Sequence, residues 1–270
     1  MSRAEVSESA ATGELAELYD DIRQTLGTPV VNLIYRMLAA YPPYLDLAWR
    51  AIRPSLVTVY AERAFVTIRE RAAEPVIALA GLPDPGPHVT AIAASVEAYN
   101  ETNPKGLLIA TACLRALEGH PAPGSGQESE PAGAPRALRP TPPMTELSDV
   151  SAETRALLLG IQDAHGLGGV PSLYRTLAWW PDWLAQAWPA LTPLITNSAL
   201  TARRAELLGL TNRLAEQLPY PVDVTRDRLL AAGLTKPEIG EIREVLASFQ
   251  RGIPVALITG LTIRRLLPEY

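Results

Sequence analysis

The chain has 270 residues, of which 47% are hydrophobic and 20% charged, with a formal net charge of −5. That is ample apolar material for a core and excludes a disordered chain, while the acidic balance argues against a nucleic-acid partner. The single cysteine, Cys113, excludes an internal disulfide framework and a cysteine-rich zinc site. The N-terminal stretch MSRAEVSESAATGE is polar, without the charged-then-apolar pattern of a signal peptide, and the apolar runs are too short to span a bilayer. A cytoplasmic protein with no membrane partner is expected.

In chain order, residues 14–26 place Leu15, Leu18, Tyr19, Ile22 and Leu26 on one helical stripe, with Thr12 as N-cap and Gly27 as the stop. Helices follow over 30–41, 43–53 and 55–73, punctuated by prolines at 42, 43 and 54. Another covers about 87–100, and a new helix opens at Pro104, with Asn103 as its N-cap. Residues 118–144 are dense in Pro, Gly, Ala and charge and read as an extended linker. Beyond it, helices are predicted over 152–165, 171–180, 182–190 and 193–217. Thr235 and Glu238 form a capping box for a helix to about 250, so residues 226–250 read as an αα-hairpin around Gly233. No segment alternates as a strand should, and the fold class is all-α.

The two parts are related. Shifted by 139, residues 12–56 fall on 151–195 without a gap: Tyr35 and Arg36 meet Tyr174 and Arg175, Pro42 meets Pro181, and Trp49 meets Trp188. At an offset of 150, Tyr99 meets Phe249, Pro104 meets Pro254 and Leu107 meets Leu257. The chain is an internal duplication with a first helical half at 1–117, a linker at 118–147 and a second half at 148–270. Two copies suit a pseudo-twofold pair rather than a solenoid. Duplication of the Tyr-Arg pair favours a structural role, each arginine tying its helix to a carboxylate or carbonyl. The tryptophan stripe 179, 180, 183, 188 reads as core.

No phosphate loop, dinucleotide fingerprint, zinc-protease motif or nucleophile elbow is present, and no cofactor or metal is implied. The strip His165-Gly166-Leu167-Gly168-Gly169 reads as a helix stop and turn. The informative positions are those where the halves disagree. Asn100, Glu101 and Asn103 are polar, whereas Asn103 lies over Ile253 in the second half.

The segment PxxxxxxYRxLAxxPxYLxLAW (29–49), the loop YNxxNPKxLLxxTA (99–112) and DxHxxxGxxS (163–172) resemble the group I 2-haloacid dehalogenases, which act on both enantiomers of 2-haloalkanoic acids. The resemblance covers most of the chain outside the linker. It implies an all-α pseudo-dimer that assembles as a homodimer, with the site between the halves and an Asp-activated water displacing halide directly, without a covalent ester. Carried over, the catalytic Asn falls on Asn103 and the Ser beside the catalytic Asp on Ser172. The Asp itself falls on Leu173, and pocket-lining aromatics fall on Val30, Leu33 and Gly106. Leucine has no lone pair, so the base passes to Glu101, nearest Asn103 in sequence, with Asp163 and His165 next. The expected function is hydrolysis of a small 2-substituted carboxylic acid. The alternatives are a non-catalytic protein that binds such an acid, or a structural homodimer.

Overall fold

A computed structural model describes residues 5–136 and 138–269. Residues 1–4, Ala137 and Tyr270, which the expected polar N-terminus, linker and half boundaries include, lie outside the described residues.

Helix α1 (Glu14–Leu26) buries Tyr19, Ile22 and Leu26, the inner edge of its apolar stripe. Its N-cap is Gly13 rather than Thr12, with no side-chain cap. Gly27 ends it at φ 62, and Gly166 ends α6 (Ala152–His165) at φ 64. In both, the next residue's N–H reaches back into the last turn, Thr28 to the Arg23 carbonyl at 3.0 Å and Leu167 to that of Gln162 at 3.3 Å. A left-handed residue at this position favours glycine. The short α2 (Leu33–Leu38) and α3 (Pro42–Leu56) match α7 (Ser172–Leu177) and α8 (Pro181–Ile195) at the offset of 139. Helices α3 and α8 run through Pro54 and Pro193 instead of breaking there. Each proline sits in a last turn, where its missing N–H forfeits a single helical bond. Helix α4 (Val59–Ala73) pairs with α9 (Ser198–Glu216).

The main departure from the sequence reading is α5 (Val89–Leu117). It is one helix through Pro104, and Asn103 lies inside it rather than capping a new start. After the short α10 (Arg226–Ala231), α11 (Lys236–Leu266) likewise runs past 250 and through Pro254. Tertiary packing overrides the local cost of the prolines. The two long helices make the most extensive contact in the protein. They are antiparallel: Gly260 faces Asn100, Gly106 faces Ile253 and Gln250 faces Thr111. The pseudo-twofold axis therefore passes between the paired prolines.

Each long helix lends its N-terminal half to the other half's core. Ile92, Val96 and Tyr99 of α5 pack with Leu158, Tyr174 and Leu184, while Ile239, Val245 and Leu246 of α11 pack with Ile22, Ile34 and Trp49. The halves interlock about a shared centre. Helix α11 is long and apolar enough to cross a membrane by composition, which the short apolar runs in the sequence did not suggest, but 72% of its apolar window is buried inside the protein.

Among its described residues the linker forms no helix, yet it is fastened to both halves. Ala132 N–H donates to the Val57 carbonyl at 2.8 Å, and Ser125 N–H to that of Leu218 at 2.9 Å. Backbone bonds and the buried Ala122 and Met144 offset the ordering cost that its composition suggested. Among the tryptophans, Trp183 is buried, but Trp179 is 52% exposed and stands on the wall of an open groove of about 760 Å³.

The Tyr-Arg pairs meet at the axis. Arg36 and Arg175 both bridge to Glu5 and to Glu146, at 3.2 and 2.6 Å for Arg36 and 2.9 and 2.7 Å for Arg175. Arg175 Nε also donates to the Thr145 carbonyl at 2.9 Å. One carboxylate from the N-terminal segment and one from the linker thus tie α2 to α7.

His165 belongs to the second core. Its ring stacks on Trp188, Nδ1–H donates to the Ile161 carbonyl at 2.9 Å, and Nε2 faces the Tyr174 hydroxyl at 3.4 Å. Burial, partly opposed by the Ile161 bond, lowers its pKa from 6.5 to about 4. The unfolded chain takes up this proton first, so the stabilisation is full above 6.5 and drains as pH falls toward 4. Urea titrations should show a loss of about 3 kcal/mol across that interval that is absent in His165→Phe. Equal slopes in the two proteins would contradict the assignment.

Candidate active site

A narrow, partly open cavity of about 40 Å³ lies on the pseudo-twofold axis, between α5, α11 and the starts of α2 and α7. Its walls come in related pairs. Leu33 stands opposite Ser172, Ile34 opposite Leu173, Asn32 opposite Pro171, Tyr99 opposite Phe249, Asn103 opposite Ile253 and Gly106 opposite Ala256. A bond crosses the axis between paired positions: the Leu33 N–H donates to Ser172 Oγ at 3.3 Å. The helix periodicity of α5 brings Tyr99, Asn103 and Gly106 to the cavity, since residues four and seven apart share a face.

The pairing shows where the copies diverge. Asn103 is polar where Ile253 is not, and Ser172 where Leu33 is not. Among the described residues no hydrogen bond occupies the Asn103 side chain, so its amide is available to the cavity. The Tyr99 hydroxyl is bonded to Thr176 Oγ1 at 2.8 Å, and burial, eased by that bond, holds the phenol protonated well above its ordinary pKa. Asn32 donates to Thr102 Oγ1 at 3.2 Å. The remaining lining is apolar, and among the described residues no carboxylate, imidazole or cation faces the cavity.

Of the residues singled out from sequence, Asn103, Ser172, Leu33, Gly106 and Leu173 come together here. Val30 does not: it packs in the second core and lines the groove beside Trp179. Nor does Glu101. Two residues from Asn103 on a continuous helix, it points about 200° away. It pairs with Arg69 and, at 3.6 Å, Arg136, in a separate pocket of about 200 Å³. With its Oε1 shared by two arginines on the far face of α5, it is not a base for this cavity. His165 lies in the second core, and Asp163 is exposed on α6.

Two participants escaped the sequence reading. Leu167 and Phe249, both half-buried, line the cavity from the Gly-rich strip and from α11. The other feature is Asn100, buried to 1% exposure, with neither side-chain atom hydrogen-bonded among the described residues. Its counterpart Gln250 donates to Thr111 Oγ1 at 3.4 Å, but the position related to Thr111 is Leu261, which cannot accept. Asn100 Oδ1 lies 2.4 Å from where a Cβ on Gly260 would stand, and Leu173 Cδ2 lies 3.6 Å from the same point. An orphaned amide therefore neighbours the leucine on the cavity wall. Comparing the two halves flags the change from Thr111 to Leu261, but only the Gln250 bond in the folded protein shows what it means for Asn100.

Chemically, the cavity offers the Asn103 and Asn32 amides, the Ser172 hydroxyl and a close-fitting apolar wall. It can position a water and hold a small polar group, but it presents no proton acceptor stronger than a hydroxyl or amide oxygen.

Residues 29–159 match the family described as halocarboxylic acid dehydrogenase DehI. The chain is 32% identical to a configuration-inverting 2-haloacid dehalogenase of Alcaligenes xylosoxydans xylosoxydans, over 92% of this chain and 88% of that one. It is 30% identical to an (R)-2-haloacid dehalogenase of Pseudomonas putida, over 91% and 86%. The solved complex of a D-2-haloacid dehalogenase mutant with D-2-CPA superposes with a TM-score of 0.91 at 27% identity, covering 98% of this chain and 95% of that one. These relatives, named for the R or D enantiomer and for inversion, overturn the expected membership of the enantiomer-nonselective group I. The shared fold, the cavity between the halves and the near-complete coverage lead to one conclusion: the chain belongs to the DehI family of 2-haloacid dehalogenases.

Proposed function

We propose that the chain is a hydrolase of the 2-haloacid dehalogenase type, taking the D enantiomer of a small 2-halocarboxylic acid into the cavity between its halves. Asn103 and Ser172 are its polar contacts, and water attack on C2 is slow because Leu173 stands where a base is needed. The observation that carries this reading is the divergence of the paired walls. Asn103 and Ser172 face a cavity whose related positions, Ile253 and Leu33, are apolar. Such a site is handed, so the two enantiomers of one acid cannot make equivalent contacts in it. Relatives named for (R)- and D-2-haloacids supply the same preference. The carboxylate is held by neutral donors alone, which keeps affinity modest.

Calorimetry with D- and L-2-chloropropionate, alongside halide release, tests this. Binding of the D acid, lost in Asn103→Leu, with slow release from D alone, is expected. Equal affinity for both enantiomers, or no binding of D, would sink the reading. The apolar cavity wall favours a second reading, binding without turnover, which predicts D binding with halide release no faster than in buffer.

A further inference from the structure

A cavity of about 40 Å³ holds two or three waters. An acid of three or more carbons fills more than that space, so seating it wholly inside requires part of the wall to move, and the wall is unevenly secured. Outside it lies a second pocket of about 390 Å³, lined by Gly168, Gly169, Arg175 and Glu146. Leu33 belongs to both linings, and Leu167 faces inward immediately before Gly168. The partition between the narrow cavity and the outer pocket is therefore the Leu33 side chain and the strip 167–169.

Leu33 is anchored within α2, whereas the strip is lightly held. Its tie to α11 is one bond, Gly168 N–H to Ser248 Oγ at 3.4 Å. What seats Leu167 is shape: a Cβ on Gly252 would lie 1.9 Å from Leu167 Cδ2, so the leucine occupies a hollow that only glycine leaves. The first half has no such device. The positions related to Leu167 and Gly252 are Thr28 and Thr102, and there Asn32 closes the wall with its bond to Thr102. A knob in one copy alone is not a requirement of the duplicated scaffold.

We infer that Leu167, seated on Gly252, is the specificity-determining residue of this site: it swings from the hollow to admit the acid from the outer pocket and, when reseated, limits the length of its alkyl chain. The inference rests on the haloacid reading above. A methylene added or removed against a close apolar wall changes discrimination by an order of magnitude.

The test compares native protein with Leu167→Ala by calorimetric binding of D-2-chloropropionate and D-2-chlorohexanoate, and by xenon binding. Xenon enters apolar cavities whatever their polar chemistry. Leu167→Ala should bind the longer acid at least about tenfold more tightly than the native chain does, and should take up more xenon. If the shorter acid binds both proteins and the longer acid neither, Leu167 does not set the length, while the haloacid reading stands. If neither acid binds either protein, the haloacid reading fails and xenon decides the rest: uptake equal to native overturns the gate as well, and raised uptake retains Leu167 as the wall that closes the cavity.

Discussion

Leu173→Asp is expected to raise halide release from D-2-chloropropionate by about 10²–10⁴-fold over the native chain, the usual contribution of a placed general base. Residue 173 is on the cavity wall beside Ser172. A carboxylate there accepts the proton of a water attacking C2, which no native group in the cavity does. The scaffold also holds a partner for it, since the Asn100 amide has no hydrogen bond among the described residues and adjoins position 173 across Gly260. An unsatisfied buried amide carries a desolvation penalty that a carboxylate neighbour relieves. Burial without a cation pushes the new carboxyl's pKa up, which gives the variant two opposite pH trends. Activity rises with pH as the group ionises. Its stability contribution, full below the unfolded pKa, falls as pH rises through the folded one. Leu173→Asn has similar size and no base, and should bind the D acid without gaining turnover. Equal halide release from the Asp and Asn variants, with the D acid bound to both, would show that the missing base is not what limits the native chain.

Removing both carboxylates of the axial cluster, as Glu5→Gln/Glu146→Gln, should cost about 3 kcal/mol of stability, the lower end of what breaking a buried ion pair costs. The lower end applies because Glu5 and Glu146 are 21% and 39% exposed, although the arginine side chains are only 4% and 5% exposed. The buried positive charges would be left facing each other across the axis. Each single variant leaves both arginines one carboxylate and should cost much less than half of the double, a coupling that a double-mutant cycle measures. Burial tends to raise the Glu146 carboxyl, but the Arg36 hydrogen bond and the charges of Arg175 and Arg36 outweigh it and hold it below the ordinary 4.5. Its contribution is present above that value and lost as pH falls below it. Arg36 and Arg175 lie one turn beyond Leu33 and Ser172, so the cluster also sets the bond across the cavity. Binding of the D acid should weaken in the double variant. Native stability in that variant by urea unfolding at neutral pH would remove the cluster from the account.

Much of this arrangement is legible in the residues. The offset of 139 aligns Leu33 with Ser172 and Arg36 with Arg175, and helical period alone marks Tyr99, Asn103 and Gly106 as one face. The assignment of Glu101 failed because Pro104 was read as a helix start. On a loop Glu101 neighbours Asn103, whereas on a continuous helix it points away. Local chemistry counts the N–H that proline lacks, but it cannot weigh the burial that α11 gives both sides of that gap.

By itself, the sequence determined the all-α class, the duplication and the residues in which the copies differ, because these follow from periodicity and from comparing one half with the other. Tertiary structure alone decided that α5 and α11 run unbroken through their prolines, that Asn100 has no hydrogen bond among the described residues although its counterpart Gln250 has one, and that Leu167 rests on Gly252. Each depends on which side chains meet across the antiparallel crossing of two long helices, and their register is set by the packing of the whole core rather than by any local stretch of chain.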